Sequence, residues 1–195
     1  MITIIGLGFV GLTSALGFAE KGLKVYGYEI SKEKRLSLSR NIIPFHEPKL
    51  NEMLKKHQAN GNFTLVDNLS ECINKSDIAM ICVGTPSKEN GQVDLFQIKD
   101  SIDLIVENLV KNDLVICIKS TVPPSSTSVD IASYLKNKTN KIKSDIGLAN
   151  NPEFLREGFA WQDFLNPDRI VIGTNDEKSK QKMNKIYENF NSKIH

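Results

Sequence analysis

Two carboxylates stand four positions apart in Asn-Pro-Glu-Phe-Leu-Arg-Glu-Gly, residues 151–158. On a helix, Glu153 and Glu157 would share a face about 6 Å apart along the axis, where like charges mildly repel. One reading is a helix start, with Asn151 as cap, Pro152 in the first turn and Glu153 at the positive end of the dipole. The other is a pair of carboxylates held over a reacting substrate. The stretch alone does not choose between them.

A second group has clearer chemistry. Gly6, Gly8 and Gly11 in Ile-Ile-Gly-Leu-Gly-Phe-Val-Gly-Leu have the spacing G-x-G-x-x-G, after an apolar run and at the start of a helical pattern. Gly6 makes the tight turn, Gly8 admits a pyrophosphate to the backbone, and Gly11 lets helix and strand approach. The helix N-terminus then presents N–H groups to phosphate. Glu29 follows 23 residues after Gly6, where an acid binds ribose hydroxyls. Together they predict dinucleotide binding. Glu29 also repels a 2′-phosphate, by up to roughly 4 kcal/mol at 4 Å and moderate effective dielectric, which favours NAD over NADP. Lys32, Lys34 and Arg35 just downstream argue the other way.

These groups need elements to position them. Continuous apolar runs at 2–5, 24–28, 78–83, 114–119, 146–149 and 169–173 have the pattern of parallel strands buried on both faces, and 63–66 is a further short candidate. Helical patterns fall at 11–21, 32–39, 95–110, 126–137 and 176–190. The alternation predicts an α/β fold: a doubly wound, Rossmann-like parallel sheet of about six core strands with helices on both faces. Such sheets bind ligands beyond the carboxyl ends of their strands. There stand Gly84-Thr85-Pro86, then Ser120-Thr121-Val122-Pro123-Pro124, then residues 151–158.

The bulk properties remove other classes. The chain has 195 residues, net charge +2, 40% hydrophobic and 25% charged residues, as expected of one globular domain. Its lysines are scattered through 136–143 and 177–185, too thinly for a nucleic-acid footprint. Cys72, Cys82 and Cys117 form no C-x-x-C pair, and His46, His57 and His195 have no metal-ligand spacing. No disulfide framework or metal site is expected, and the histidines read as surface or loop residues. Met1 to Ala19 is uncharged but has no basic start and is broken by four glycines, so it reads as strand, turn and helix rather than a leader or membrane segment. A cytoplasmic protein is expected.

Taken together, Gly-Leu-Gly-Phe-Val-Gly-Leu, Cys-Val-Gly-Thr-Pro, Lys-Ser-Thr-Val-Pro-Pro and residues 151–173 resemble the UDP-glucose/GDP-mannose dehydrogenase family. Pro-Phe-His-Glu-Pro-Lys-Leu (44–50) resembles the family's P-x-x-E-P-G-L. The likeness covers nearly the whole chain with the motifs in order. It implies that NAD contacts Gly6, Gly8, Phe9, Val10 and Gly11, with Glu29 on the ribose and Lys34 nearby. Gly84, Thr85, Pro86, Ser120, Thr121 and Glu157 would line the rest of the cofactor. Glu153 would act in proton transfer or water activation at the reacting C6, helped by Thr121. Phe154, Leu155 and Arg156 would edge the sugar-nucleotide site, with Glu153 and Glu157 beside them.

Three positions depart from the pattern: Glu29 stands for aspartate, and Lys49 and Ser125 stand for glycines. The family's oxidation of an alcohol to a carboxylate also needs a thiolate to trap the aldehyde. In the family that cysteine lies in a C-terminal glycine-rich segment beyond a central helix, and neither is found in this chain. Cys82 and Cys117 fall in core strands and Cys72 on a short helix, and none is suited to replace it. The chain therefore reads as one domain, residues 1–195. The resemblance implies the NAD-binding half of a nucleotide-sugar dehydrogenase, expected to lack complete turnover of its own. UDP-glucose is the favoured substrate of the whole enzyme, which as a family member would be a homodimer. GDP-mannose and UDP-hexosamines are the alternatives, and a non-catalytic NAD-binding sensor is the alternative of another class. A β-hydroxyacid dehydrogenase, with a similar glycine loop, would need a catalytic lysine in a following helical domain.

Overall fold

The computed structural model describes residues 1–110, 113–140 and 145–195. Six strands run parallel: β1 (Ile2–Ile5), β2 (Val25–Tyr28), β3 (Phe63–Val66), β4 (Ile78–Ile81), β5 (Leu114–Ile118) and β6 (Ile146–Asn150). The two-residue β7 (Gly173–Thr174) pairs antiparallel with β6, and the sheet order is β3-β2-β1-β4-β5-β6-β7. Strand order reverses between β1 and β4, which opens a crevice above their carboxyl ends.

Every residue of β1, β4 and β5 is buried, so these strands are apolar without alternation. One face of the sheet packs against α1 (Phe9–Glu20), α3 (Leu50–Ala59), α7 (Ala160–Leu165) and α8 (Glu177–Ile186). The other packs against α4 (Ser70–Ile73), α5 (Phe96–Asn108) and α6 (Ala132–Thr139). A π-helical turn, Thr127–Ile131, leads into α6. The remaining helix, α2 (Lys32–Ser39), follows Ser31, whose side chain accepts from Lys34 N. Helix α1 is buried over Gly11–Ala19, which accounts for the uncharged N-terminal run. Among the described residues no helix is long and apolar enough to cross a membrane.

The doubly wound sheet has six parallel strands as expected, but their membership differs. Residues 63–66 are one of the six, and 169–173 is not. There Ile170 and Ile172 hydrogen-bond with Lys193 and His195, and only Gly173 and Thr174 reach the sheet. A parallel return needs a crossover that carries the chain back along the strand. The six-residue α7 instead packs on α1, where Gly17 leaves room for the Phe164 ring. The chain therefore comes back antiparallel.

Helix α3 is an addition to the expected elements. Its buried Leu50, Met53, Leu54 and His57 follow the i, i+3, i+4, i+7 spacing of one helical face. His57 was expected at the surface, yet it is 1% exposed on that face, with Nε2 2.7 Å from Glu20 Oε2.

Candidate functional site

The glycine loop joins β1 to α1. Gly6 has φ +85°, a conformation that favours glycine, and a Cβ there would lie 2.9 Å from the Cys82 carbonyl oxygen. At Gly11 a Cβ would lie 1.8 Å from the Gly6 carbonyl oxygen, which no adjustment short of moving the helix would relieve. Gly8 is different: a Cβ there would meet nothing within 4 Å. It is the N-cap of α1 and contributes no side-chain cap, so the first N–H groups of the helix, those of Phe9 and Val10 among them, are left to a ligand. Phe9 is braced edge-on against Phe45, with ring centroids 5.8 Å apart.

Glu29 closes the loop. Its Oε2 accepts from Leu7 N at 2.9 Å and its Oε1 from Ser31 N at 3.0 Å. The extra methylene relative to aspartate is thus taken up by the side chain bridging the glycine loop and the start of α2. Each carboxylate oxygen keeps a second lone pair for a ribose hydroxyl. Arg35 is engaged within the chain: its guanidinium donates to the Glu29 and Ile30 carbonyls and to Asp67 Oδ1. Lys34 is exposed, its backbone N–H donating to Ser31 Oγ.

Three strand-end loops are laced together beside this cradle. Ser120 Oγ donates to the Val83 carbonyl (2.7 Å), tying the β5 end to the segment that leads into Gly84 and Pro86. Thr85 Oγ1 donates to the Thr121 carbonyl (2.9 Å), and Thr121 Oγ1 donates to Glu153 Oε1 (3.2 Å). Glu153 Oε2 is buried and has no hydrogen-bond partner among the described residues. An unpaired buried carboxylate oxygen is costly unless a ligand group meets it.

Residues 151–156 are irregular, and α7 begins only at Ala160. This corrects the helix-start reading. Asn151 caps nothing, and the two glutamates share no helical face. Glu153 faces inward, whereas Glu157 is exposed in the following turn, outside the cleft that Glu153 lines. The turn is capped from far away: buried Glu47 accepts from Gly158 N (2.8 Å) and Trp161 N (3.4 Å). Glu47 belongs to the 44–50 segment, and its buried carboxylate is the job that segment performs here.

The cleft holds about 920 Å³ and is lined by Lys119, Asn151 to Arg156, Asp163, Arg169 and Tyr187 among others. Arg156 makes a two-pronged pair with Asp163, Nε to Oδ2 at 3.0 Å and Nη2 to Oδ1 at 2.7 Å. That guanidinium holds the Asp163 carboxyl below its usual range. Exposed Phe154 lies under the Arg169 guanidinium at 4.6 Å, and Leu155 packs against the core. Composition gave no hint of Lys119 or Tyr187, because both read as parts of core elements.

All three cysteines are buried. Burial raises the Cys72 thiol, pushes Cys117 up to about 12, and raises Cys82 further. Burial thus disfavours the thiolate form of each.

A doubly wound sheet with an open glycine cradle at its switch point, an acid at the end of β2 and a half-buried acid at the end of β6 has the architecture of a dinucleotide-binding domain. The model of the UDP-glucose/GDP-mannose dehydrogenase family, NAD binding domain, matches residues 1–191, and the chain belongs to that family. It is 41% identical over 186 residues to a UDP-glucose 6-dehydrogenase of Rickettsia felis, covering 95% of this chain and 40% of the relative. Among solved structures it superimposes on a UDP-glucose dehydrogenase from Pyrobaculum islandicum with TM-score 0.92 and 31% identity, over 99% of this chain and 45% of that one. It superimposes equally on a GDP-mannose dehydrogenase from Pseudomonas aeruginosa, with TM-score 0.92, 30% identity and the same shares of the two chains. The chain thus spans about 40% of the length of the curated relative, and it carries the family's NAD-binding domain.

Proposed function

We propose that this chain is the cofactor-binding half of an NAD-dependent UDP-glucose 6-dehydrogenase, whose whole reaction converts UDP-glucose and two NAD+ to UDP-glucuronate. When bound, NAD supplies the hydride acceptor. The chain's own residues bind and orient. The α1 N-terminus and Gly8 receive the pyrophosphate, Glu29 takes the ribose hydroxyls, and Thr85 and Thr121 border the reacting end. Glu153, held by Thr121 through one oxygen, uses the other to move a proton at the substrate's C6 oxygen or an attacking water. That partnerless Oε2, buried where three loops converge, is the observation that carries the reading.

Each of the three cysteines is inert by burial, so we infer that the thiol required by the second oxidation comes from outside this chain. The polypeptide would bind NAD and make no UDP-glucuronate by itself. The whole enzyme would act in the cytoplasm as a homodimer. The curated relatives favour UDP-glucose, and GDP-mannose is the second reading, supported by the equal superposition on that enzyme.

The test is calorimetric titration of the chain with NAD+ and then NADP+. Binding of NAD+ at least tenfold tighter than NADP+, with the preference lost in Glu29→Ala, is expected from two charge-assisted hydrogen bonds. Equal affinities, or UDP-glucuronate formed by the chain alone, would refute the corresponding part of the proposal.

A further inference from the structure

The β5–β6 ladder ends at the pair Ile118 and Asn150, an offset of 32 residues. Beyond the sheet two side-chain rungs keep the same offset. Lys119 Nζ donates to Asn151 Oδ1 (3.1 Å) and its carbonyl oxygen (3.4 Å), and Thr121 Oγ1 donates to Glu153 Oε1 (3.2 Å). Lys119 is only 4% exposed and, among the described residues, has no carboxylate within ion-pair distance. A buried ammonium answered by two neutral oxygens of a single residue is an unfavourable choice for filling a strand end.

Asn151 is tied to three neighbours besides Lys119. Its main-chain N–H donates to the Ile118 carbonyl (2.9 Å), its Nδ2 to the Val171 carbonyl (2.8 Å), and its Oδ1 also accepts from Tyr187 OH (2.5 Å). It is the last fixed point before the irregular stretch that carries Glu153. Lys119, Asn151 and Glu153 line the same cleft.

We propose that Lys119 is a positioning residue of the proposed site: its bond to Asn151 extends the sheet register past its end and so sets the distance between Thr121 and Glu153. The inference rests on the functional reading above, which places the nicotinamide half of the cofactor beside that pair. Tyr187 donates to the same Asn151 oxygen but anchors it to α8, not across the two loops. The two donors therefore have different expected effects.

The experiment compares Lys119→Met, Lys119→Arg and Tyr187→Phe in this chain. Each is titrated with ADP-ribose, which reports the glycine-loop half alone, and with NAD+. Lys119→Met should leave ADP-ribose affinity within about twofold and weaken NAD+ about tenfold, the scale of one lost charged hydrogen bond. Lys119→Arg should recover most of it, and Tyr187→Phe should change neither. Equal losses for both ligands in Lys119→Met, or no loss, would overturn the proposal. If wild type binds neither ligand, the cofactor reading has failed, and amide hydrogen exchange at Asn151 decides this one. Exchange at least tenfold faster in Lys119→Met but not in Tyr187→Phe supports the rung, and unchanged exchange removes it. Lys119→Gln serves if Met does not fold.

Discussion

The hydroxyl of Thr121 donates to Glu153 Oε1 at 3.2 Å and leaves Glu153 Oε2 buried without a protein partner among the described residues. Half of this carboxylate is anchored and half is held in reserve. Such an arrangement costs stability unless a ligand group meets the second oxygen.

Glu153→Gln should therefore stabilise the chain, by about 1 kcal/mol, because an amide is less costly than a half-satisfied carboxylate in that place. The midpoint of urea denaturation should rise. In the whole enzyme proposed above, the same change should lower kcat about 10²–10⁴-fold, the range for losing a positioned proton-transfer group. A destabilised Glu153→Gln chain would mean that Oε2 is solvated and the carboxylate is not strained.

Much of this site was readable from residue types. The glycine spacing, Glu29, Thr85 and Thr121 stand where strand ends require them. The reading missed what depends on long-range pairing. Asn151-Pro152-Glu153 has the local signature of a helix start, yet Asn151 is drawn into a network with Lys119, Tyr187 and Val171 that no local rule reveals. Glu47 reaches 111 residues along the chain to cap the turn at Gly158. Residues 169–173 look like a buried strand because periodicity does not tell which partner a strand has. Helix α3 was available in principle, since Leu50, Met53, Leu54 and His57 have helical spacing.

The cysteines give a direct chemical test. Cys72 and Cys117 are fully buried and Cys82 nearly so, with burial raising every thiol. At pH 8 a disulfide reagent should label none of them in the native chain over the time in which all three react in 6 M guanidinium. Rapid native labelling of one thiol would reopen the possibility of an internal nucleophile.

Acid should weaken the contact between α1 and α3. Lys56 and His57 hold the Glu20 carboxyl below its usual 4.5, the hydrogen bond from Lys56 contributing most. A depressed carboxylate contributes stability that is fully present above its unfolded value and is lost as pH falls through the folded one. The stability advantage of wild type over Glu20→Gln should shrink as pH falls below about 4.5. A difference independent of pH down to pH 3 would show that the contact is not electrostatic.

Two departures from the family pattern carry strain. Lys49 and Ser125 stand where the family has glycine, and both keep a left-handed backbone, at φ 71° and φ 69°. The left-handed region costs a residue with a Cβ roughly 1–2 kcal/mol, whereas glycine loses more chain entropy on folding, about 0.5–1 kcal/mol. The first should win, because the bonds at both sites use main-chain atoms that glycine retains: the Lys49 carbonyl accepts from Met53 N, and the Ser125 carbonyl from Ser128 Oγ and Val129 N. Lys49→Gly and Ser125→Gly should each stabilise by about 0.5–1 kcal/mol, raising Tm by about 1–4 °C in a chain of this size. Gly22→Ala is the reverse control: at φ +88° its Cβ would meet nothing within 4 Å, so any loss of Tm there measures backbone conformation alone. Unchanged Tm in all three variants would show that these turns relax without cost.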